Sequence, residues 1–412
     1  MALEVPTNNQ AWQAVNGEDF VEQLPANQKP WATILAVGLT LIFAWGSSYY
    51  LLAVLAEPIS ADTGWPKVWV IGCYSGSLLV AGLISPSVGS AIQRYGGRPV
   101  LAASSAFFAV GLAGLAVSSN LALYMISWFV LGLGMGSGLY DAAFAMLGRA
   151  YGRAARYSIT AITLIAGFSS TICWPLSAYL LEQWGWRGVC LFYSTLHVLV
   201  CLPIHLALTP TGSPNSSAAK EAEKTLHPDV RVNLNLYLLA LAMTSISVIS
   251  AIVSVYLIVL LEANGVARTT AVALAALLGP SQVIARLAEM FFGRRYEPIW
   301  TLVVAAGLVA AGLGLLAVNM LPLGISVVLY GGGIGIAWVA RGTLPLALFG
   351  PEGYAALMGR LAFPSLLAQA VSPSIGAIVL DAYGAGATLI LLFTLAILTL
   401  ATAVWLKAAT RH

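Results

Sequence analysis

The chain has 412 residues, of which 59% are hydrophobic and only 8% charged, and its formal net charge is +3. A mean hydropathy of +0.87 lies far outside the range of a water-soluble globular domain and places the chain in a lipid bilayer. The net charge says little by itself; its distribution along the chain says more.

The first thirty residues carry Glu4, Glu18, Asp19 and Glu22 and lack the basic start and short apolar run of a cleavable signal, so 1–30 reads as a retained tail. Ala2 excludes N-myristoylation. A bilayer core of roughly 30 Å needs about 20 apolar residues per helix. Twelve such spans follow: 32–57, 67–91, 98–118, 120–148, 156–182 and 186–208, then 233–262, 268–292, 299–318, 321–349, 353–381 and 385–407. The one long polar interruption, TPTGSPNSSAAKEAEKTLHPDVRVN from Thr209 to Asn233, has the composition of a solvated linker. The expected organisation is a tail over 1–30, a six-helix bundle over 31–208, a linker over 209–232, a second six-helix bundle over 233–408 and a tail over 409–412. The fold class is an all-α membrane protein with twelve transmembrane helices in two pseudo-symmetric bundles.

An N-terminus inside the cell puts Lys29, Arg94, Arg98, Arg149, Arg153, Arg156, Lys220, Lys224, Arg231, Arg294, Arg295, Lys407 and Arg411 on the cytoplasmic side. Lys67, Arg187 and Arg268 fall on the other. This imbalance predicts a multi-pass protein of the cell membrane with both termini cytoplasmic. Cys73, Cys173, Cys190 and Cys201 all fall inside predicted helices without metal-ligand spacing and read as buried packing. His197 and His205 lie on the sixth span, His227 in the linker and His412 at the terminus, a pattern that supports no metal site. Neither a cofactor nor a nucleic-acid partner is called for, and the chain is expected to act as a monomer.

The two halves echo each other at an offset of about 199 residues. LGLGMGSGLYDAA on the fourth span aligns with YGGGIGIAWVARG on the tenth, matching Gly134 to Gly333 and Gly136 to Gly335. An internal repeat in a polytopic membrane protein is the trace of a transporter built from two bundles around a central site. The small residues of both runs let helix backbones approach closely.

The loop GSAIQRYGGRPV, from Gly89 to Val100, resembles the loop between the second and third helices of the major facilitator superfamily. That pattern is Gly, three residues, Asp, Arg, one residue, Gly, then two basic residues. Gly89, Arg94, Gly96 and Arg98 match; Gln93 stands where the acid belongs and Gly97 replaces a basic residue. The stretch WGSSYYLLAVLAEPISADTGWPKVWVIGCYSGSLL, beginning at Trp45, is similar to the first two helices of the monocarboxylate and oxalate/formate branch. The resemblance implies a gating role for the loop and a substrate-binding arginine on the eighth helix, a position that Arg286 matches. Gln282 occupies the place one turn earlier where the animal carriers have an acid, and their lysine on the first helix has no counterpart. The oxalate exchanger pairs its arginine with a cation on the eleventh helix, for which Arg360 is the candidate.

Within the apolar layer the sequence leaves Arg286, Arg341, Arg360, Asp141 and Glu289. A charge at the bilayer centre costs on the order of 2.5 to 3.5 kcal/mol on insertion scales, so these must point inward or toward one another. At about 1.5 Å per residue, Arg286 lies roughly 10 Å from the end of its helix, and Asp141, Arg341 and Arg360 share nearly the same layer. Arg286 presents a planar fork suited to a carboxylate, and Glu289, one turn on, can reach back to it or to a neighbouring helix. Asp141 and Arg341, at repeat-related positions, suggest a bridge across the cytoplasmic mouth. They and Glu289 are the candidates for proton coupling or gating. Trp45, Ser47, Ser48, Tyr49 and Tyr50 near the middle of the first helix, with Gln369 on the eleventh, complete the expected solute site.

The short loops offer no nucleophile with a base and no paired carboxylates, which argues against an enzyme, and no large extramembrane domain suggests a receptor. The reading is a secondary active transporter moving a small organic anion, a mono- or dicarboxylate, by alternating access with proton coupling or exchange. The alternative is proton-driven efflux of a drug or metalloid. Three arginines against two acids weigh against a cationic drug, and the scattered cysteines against a metalloid.

Overall fold

The computed structural model describes residues 31–210, 234–318 and 322–409. The expected N-terminal tail, residues 211–232 of the linker and residues 410–412 lie outside the described residues. The first half is built from α1 (Trp31–Gly46), α2 (Leu51–Thr63), α3 (Lys67–Tyr95), α4 (Gly97–Ala116), α5 (Leu121–Gly138), α6 (Tyr140–Tyr151), α7 (Ala155–Ala166), α8 (Ser169–Leu196) and α9 (Leu202–Leu208). A π turn, His197–Cys201, joins the last two. The second half comprises α10 (Leu234–Ala263), α11 (Arg268–Ala275), α12 (Leu278–Phe292), α13 (Pro298–Val318), α14 (Leu323–Phe349) and α15 (Tyr354–Ala409).

Among the described residues, nine helical stretches are long and apolar enough to cross a membrane. Two of them are too long for one crossing: 121–208 has 88 residues and 354–409 has 56, against about 20 for a bilayer core. Glycines in the left-handed region, which other residues enter only at a cost, break them. Gly152 (φ 55°) and Gly185 (φ 66°) divide the first into three crossings and Gly384 (φ 80°) divides the second into two. Nine stretches therefore make twelve spans, as the sequence predicts. The same glycines carry the repeat: Gly64 and Gly265, Gly152 and Gly350, and Gly185 and Gly384 are 201, 198 and 199 residues apart, and all six have positive φ.

The glycine runs pack inside each half. A side chain at Gly132 or Gly136 would strike the backbone of α3, one at Gly134 or Gly138 would strike α4, and one at Gly333 or Gly335 would strike α13 or α12. Between the halves, α3 lies along α15 and α7 against α12 and α14. These contacts are closest at the end that carries Arg94, Arg98, Arg149, Arg153 and Arg156, here called the basic end. There Gly89 packs on Gly359, where a Cβ would fall 3.0 Å from the Gly359 nitrogen, and Ser85 Oγ donates to the Gly359 carbonyl at 3.0 Å. Among the described residues, no hydrogen bond between the halves lies farther from the basic end than the level of Tyr49 and Gln369. The basic end is closed.

Candidate functional site

Four of the twelve spans are interrupted near mid-depth, and these interruptions build the site. The first breaks at the turn 47–50, the fourth at Leu139, the fifth at Gly167 and Phe168, and the eighth at Ala276 and Leu277. Discontinuous helices of this kind form the solute sites of many secondary transporters.

Arg286, on α12, is only 3% exposed. Its Nε donates to the Gly335 carbonyl at 3.2 Å, Nη1 to the Thr163 carbonyl of the other half at 2.8 Å, and Nη2 to Gln282 Oε1 at 3.3 Å. The break after α7 makes this possible, since any side chain at Gly167 would occupy the place of Nη1. Tyr140 OH donates to the same Thr163 carbonyl at 3.4 Å. Every acceptor of Arg286 among the described residues is a neutral oxygen; no carboxylate pairs with it. Glu289 does not reach back to Arg286. It accepts instead from Thr301 Oγ1 of α13 at 2.7 Å, beside the side-chain-free Gly293.

Asp141 and Arg341 do meet. Arg341 Nε donates to Asp141 Oδ1 at 2.7 Å and Nη2 to Oδ2 at 3.1 Å, a two-pronged bridge between α14 and α6. The break at Leu139 puts Asp141 in the first turn of α6, where free backbone N–H groups favour a carboxylate. Arg341 Nη1 also donates to Ser247 Oγ at 3.4 Å, and its guanidinium carbon lies 5.5 Å from the Trp338 ring centre.

Above this bridge lies a cavity bounded by Trp45, Tyr49, Tyr140, Trp338, Ser247 and Gln369. Trp45 is its hub: its ring centre is 4.9 Å from Tyr140, 5.0 Å from Tyr49, 5.9 Å from Trp338 and 6.0 Å from Tyr50. Gln369 Nε2 donates to Tyr49 OH across the halves at 3.2 Å.

Arg286, Gln282 and Tyr50 do not line this cavity, and three further expected positions also fall outside it. Ser47 and Ser48 are fully buried inside the first half, with Ser47 Oγ 2.9 Å from His197 Nε2 and Ser48 Oγ donating to Ala44 O at 2.6 Å. They sit at the right depth but face away from the cavity. Arg360 is exposed six residues after the start of α15. That is roughly 9 Å along the helix, shallow enough for a long side chain to reach water. In the 89–98 loop, Arg98 Nε holds the Thr209 carbonyl at 2.8 Å, while Arg94 lies 5.4 Å over the Tyr95 ring. Where the acid is missing, the Gln93 backbone carbonyl accepts from Arg149 Nε at 3.0 Å. Gly96, at φ 89°, makes the turn. Tyr140, Thr163, Ser247 and Trp338 are additions that sequence reasoning did not supply. A ring one position before Asp141 and another three before Arg341 were the available signals.

Residues 37–295, more than half of the chain, match the family model described as Major Facilitator Superfamily. The chain is 26% identical to human monocarboxylate transporter 2 over 197 residues, 47% of this chain and 39% of that protein. It is 31% identical to mouse monocarboxylate transporter 11 over 169 residues, 40% of this chain and 35% of that protein. The matches thus span well under half the length of these relatives. Among solved structures, the chain superposes on the transporter FucP in the outward conformation with a TM-score of 0.74 at 15% identity, covering 91% of this chain and 98% of that one. The proton:xylose symporter XylE gives 0.72 at 12% identity, covering 90% and 94%. The human organic anion transporter MFSD10 gives 0.71 at 17% identity, covering 92% and 100%. With its twelve spans in two repeat-related halves around a buried polar centre, the chain belongs to the Major Facilitator Superfamily and is a membrane transporter rather than an enzyme.

Proposed function

We propose that this transporter carries a small organic anion, a mono- or dicarboxylate, across the cell membrane by alternating access, driven by a coupled proton or by exchange. The observation that carries the reading is Arg286: a permanently charged guanidinium, buried, whose partners are carbonyl and amide oxygens without a counter-charge. Taking an ion out of water costs several kcal/mol, and only a paired charge with good geometry offsets it. Arg341 already has its carboxylate in Asp141, so the centre retains one uncompensated positive charge. A solute carboxylate would supply the missing partner through two parallel hydrogen bonds. Taking the guanidinium edge now held by Thr163 O would also release a contact that ties the halves together, linking loading to the rocking of the bundles. The names of the monocarboxylate transporters and of the organic anion transporter agree in the sign of the solute.

The basic end is assigned to the cytoplasm by the excess of arginine there, which makes the closed basic end an outward-facing state and puts both termini and the 209–232 linker inside. With an impermeant maleimide on intact cells, Asn120→Cys should label and Ser216→Cys should label only after permeabilisation. Reaction of Ser216→Cys in intact cells would overturn this orientation.

Solute class is tested by thermal unfolding of the purified protein across small mono- and dicarboxylates, sugars and organic cations, since a ligand that binds only the folded state raises its apparent stability. A saturable rise in midpoint confined to carboxylates is expected. Stabilisation by a sugar or a cation, with none by any carboxylate, would contradict the proposal.

A further inference from the structure

The first half holds a second buried polar cluster, separate from the central cavity. His197 and His205 on the sixth span are 1% and 5% exposed. His197 Nε2 lies 2.9 Å from Ser47 Oγ, and His205 Nε2 lies 3.0 Å from Thr40 Oγ1, with His205 Nδ1 2.9 Å from Ser105 Oγ of α4. The first and sixth spans run antiparallel, so the two histidine–hydroxyl pairs form the rungs of a ladder between them.

The register of this ladder explains the π turn. Thr40 and Ser47 are seven residues apart, and at about 100° per residue they lie within about 20° of each other on one face. His197 and His205 are eight apart, which on a regular α-helix would set them about 80° apart, so only one could face the first span. The π turn His197–Cys201 takes up the extra residue and brings both imidazoles onto the same face. Phe108 stacks on His197, ring centres 4.8 Å apart at 22°, and fixes the plane of its ring.

The upper rung ends on the break in the first span. Ser47 opens the turn 47–50, where the helical ladder is replaced by Tyr50 N–H to Trp45 O at 3.0 Å and Leu51 N–H to Ser48 O at 3.3 Å. Trp45 and Tyr49, which line the cavity, flank or form this turn and meet each other and Tyr50 ring to ring. His197 Nδ1 has no hydrogen-bond partner among the described residues. A buried lone pair is left unmade at less cost than a buried N–H, so the ring proton belongs on Nε2, donated to Ser47 Oγ.

We infer that His197 is a positioning residue for the solute site: through Ser47 it holds the broken turn of the first span, and with it Trp45, Tyr49 and Tyr50, while His205 anchors the regular part of the same helix. The inference rests on the proposed function only in taking the cavity as the solute site. Its test reads the turn itself, with or without a bound carboxylate. Amide exchange followed by mass spectrometry on the peptide covering 46–51 should accelerate about three- to tenfold in His197→Phe, which keeps the ring and loses the donor. Ser47→Ala, which removes the same bond with a smaller change of volume, should match it. His197→Gln, whose amide reaches the place of Nε2, should stay within about twofold of the parent, and so should His205→Ala despite a lower melting temperature. Parent-like exchange in both His197→Phe and Ser47→Ala, or equal acceleration in His205→Ala, would overturn the assignment.

Discussion

Arg286→Lys should weaken binding of the carboxylate that stabilises the parent by roughly ten- to a hundredfold, since one of two charge-assisted hydrogen bonds is lost and such bonds contribute about 1.5 to 3 kcal/mol each. The ammonium keeps the charge but cannot hold Gly335 O and Gln282 Oε1 while also meeting, edge-on, a carboxylate that has displaced Thr163 O. Folding should survive, because a buried cation in a cradle of neutral oxygens is replaced by another cation in the same cradle. Titration calorimetry on parent and variant decides the matter. Equal affinity for every carboxylate bound by the parent removes Arg286 from the site.

The second large effect is expected at the Asp141–Arg341 bridge, which joins the halves just below the cavity. In Asp141→Asn the buried guanidinium of Arg341 loses its counter-charge, a cost of roughly 3 to 5 kcal/mol that applies to the closed basic end. Even a third of that shifts a two-state equilibrium about tenfold. Spin labels at positions 153 and 352, both exposed at the basic end, should report a longer distance population in Asp141→Asn. The double exchange Asp141→Arg with Arg341→Asp should restore part of the short population. Recovery is partial because Ser247 and the Trp338 ring are placed for a guanidinium on α14 and not on α6. An unchanged distance distribution in Asp141→Asn would mean the bridge does not hold the gate.

These expectations separate what is legible in the sequence from what is not. Span number follows from the bilayer, which demands some twenty apolar residues per crossing, and the repeat is visible because Gly134 and Gly136 recur as Gly333 and Gly335. The depth of Asp141, Arg286 and Arg341 follows equally, since residue count along a helix measures height. Facing does not follow. Ser47 and Ser48 sit at the height of the site and turn into the bundle, because a local break rotates them relative to Tyr49. Arg360 lies on the outer face of a helix whose inner face carries Gly359 and Gln369. The breaks at Leu139 and Gly167 are hidden in apolar sequence without proline, so the openings that admit Asp141 and Arg286 to the centre emerge only in three dimensions. The histidines, judged singly as metal ligands, carry no signal; their meaning lies in a spacing of eight set against a spacing of seven, reconciled by a turn that the sequence does not announce.

The most direct measurement of the central claim is counterflow in proteoliposomes. Vesicles loaded with an unlabelled carboxylate chosen from the stabilising set are diluted into a trace of the same solute carrying a radiolabel. An anion transporter working by alternating access should accumulate label transiently above equilibrium, without any imposed gradient of protons, and Arg286→Lys should flatten the overshoot. If the parent shows no overshoot with any small carboxylate yet shows one with a neutral or cationic solute, the anion assignment is contradicted.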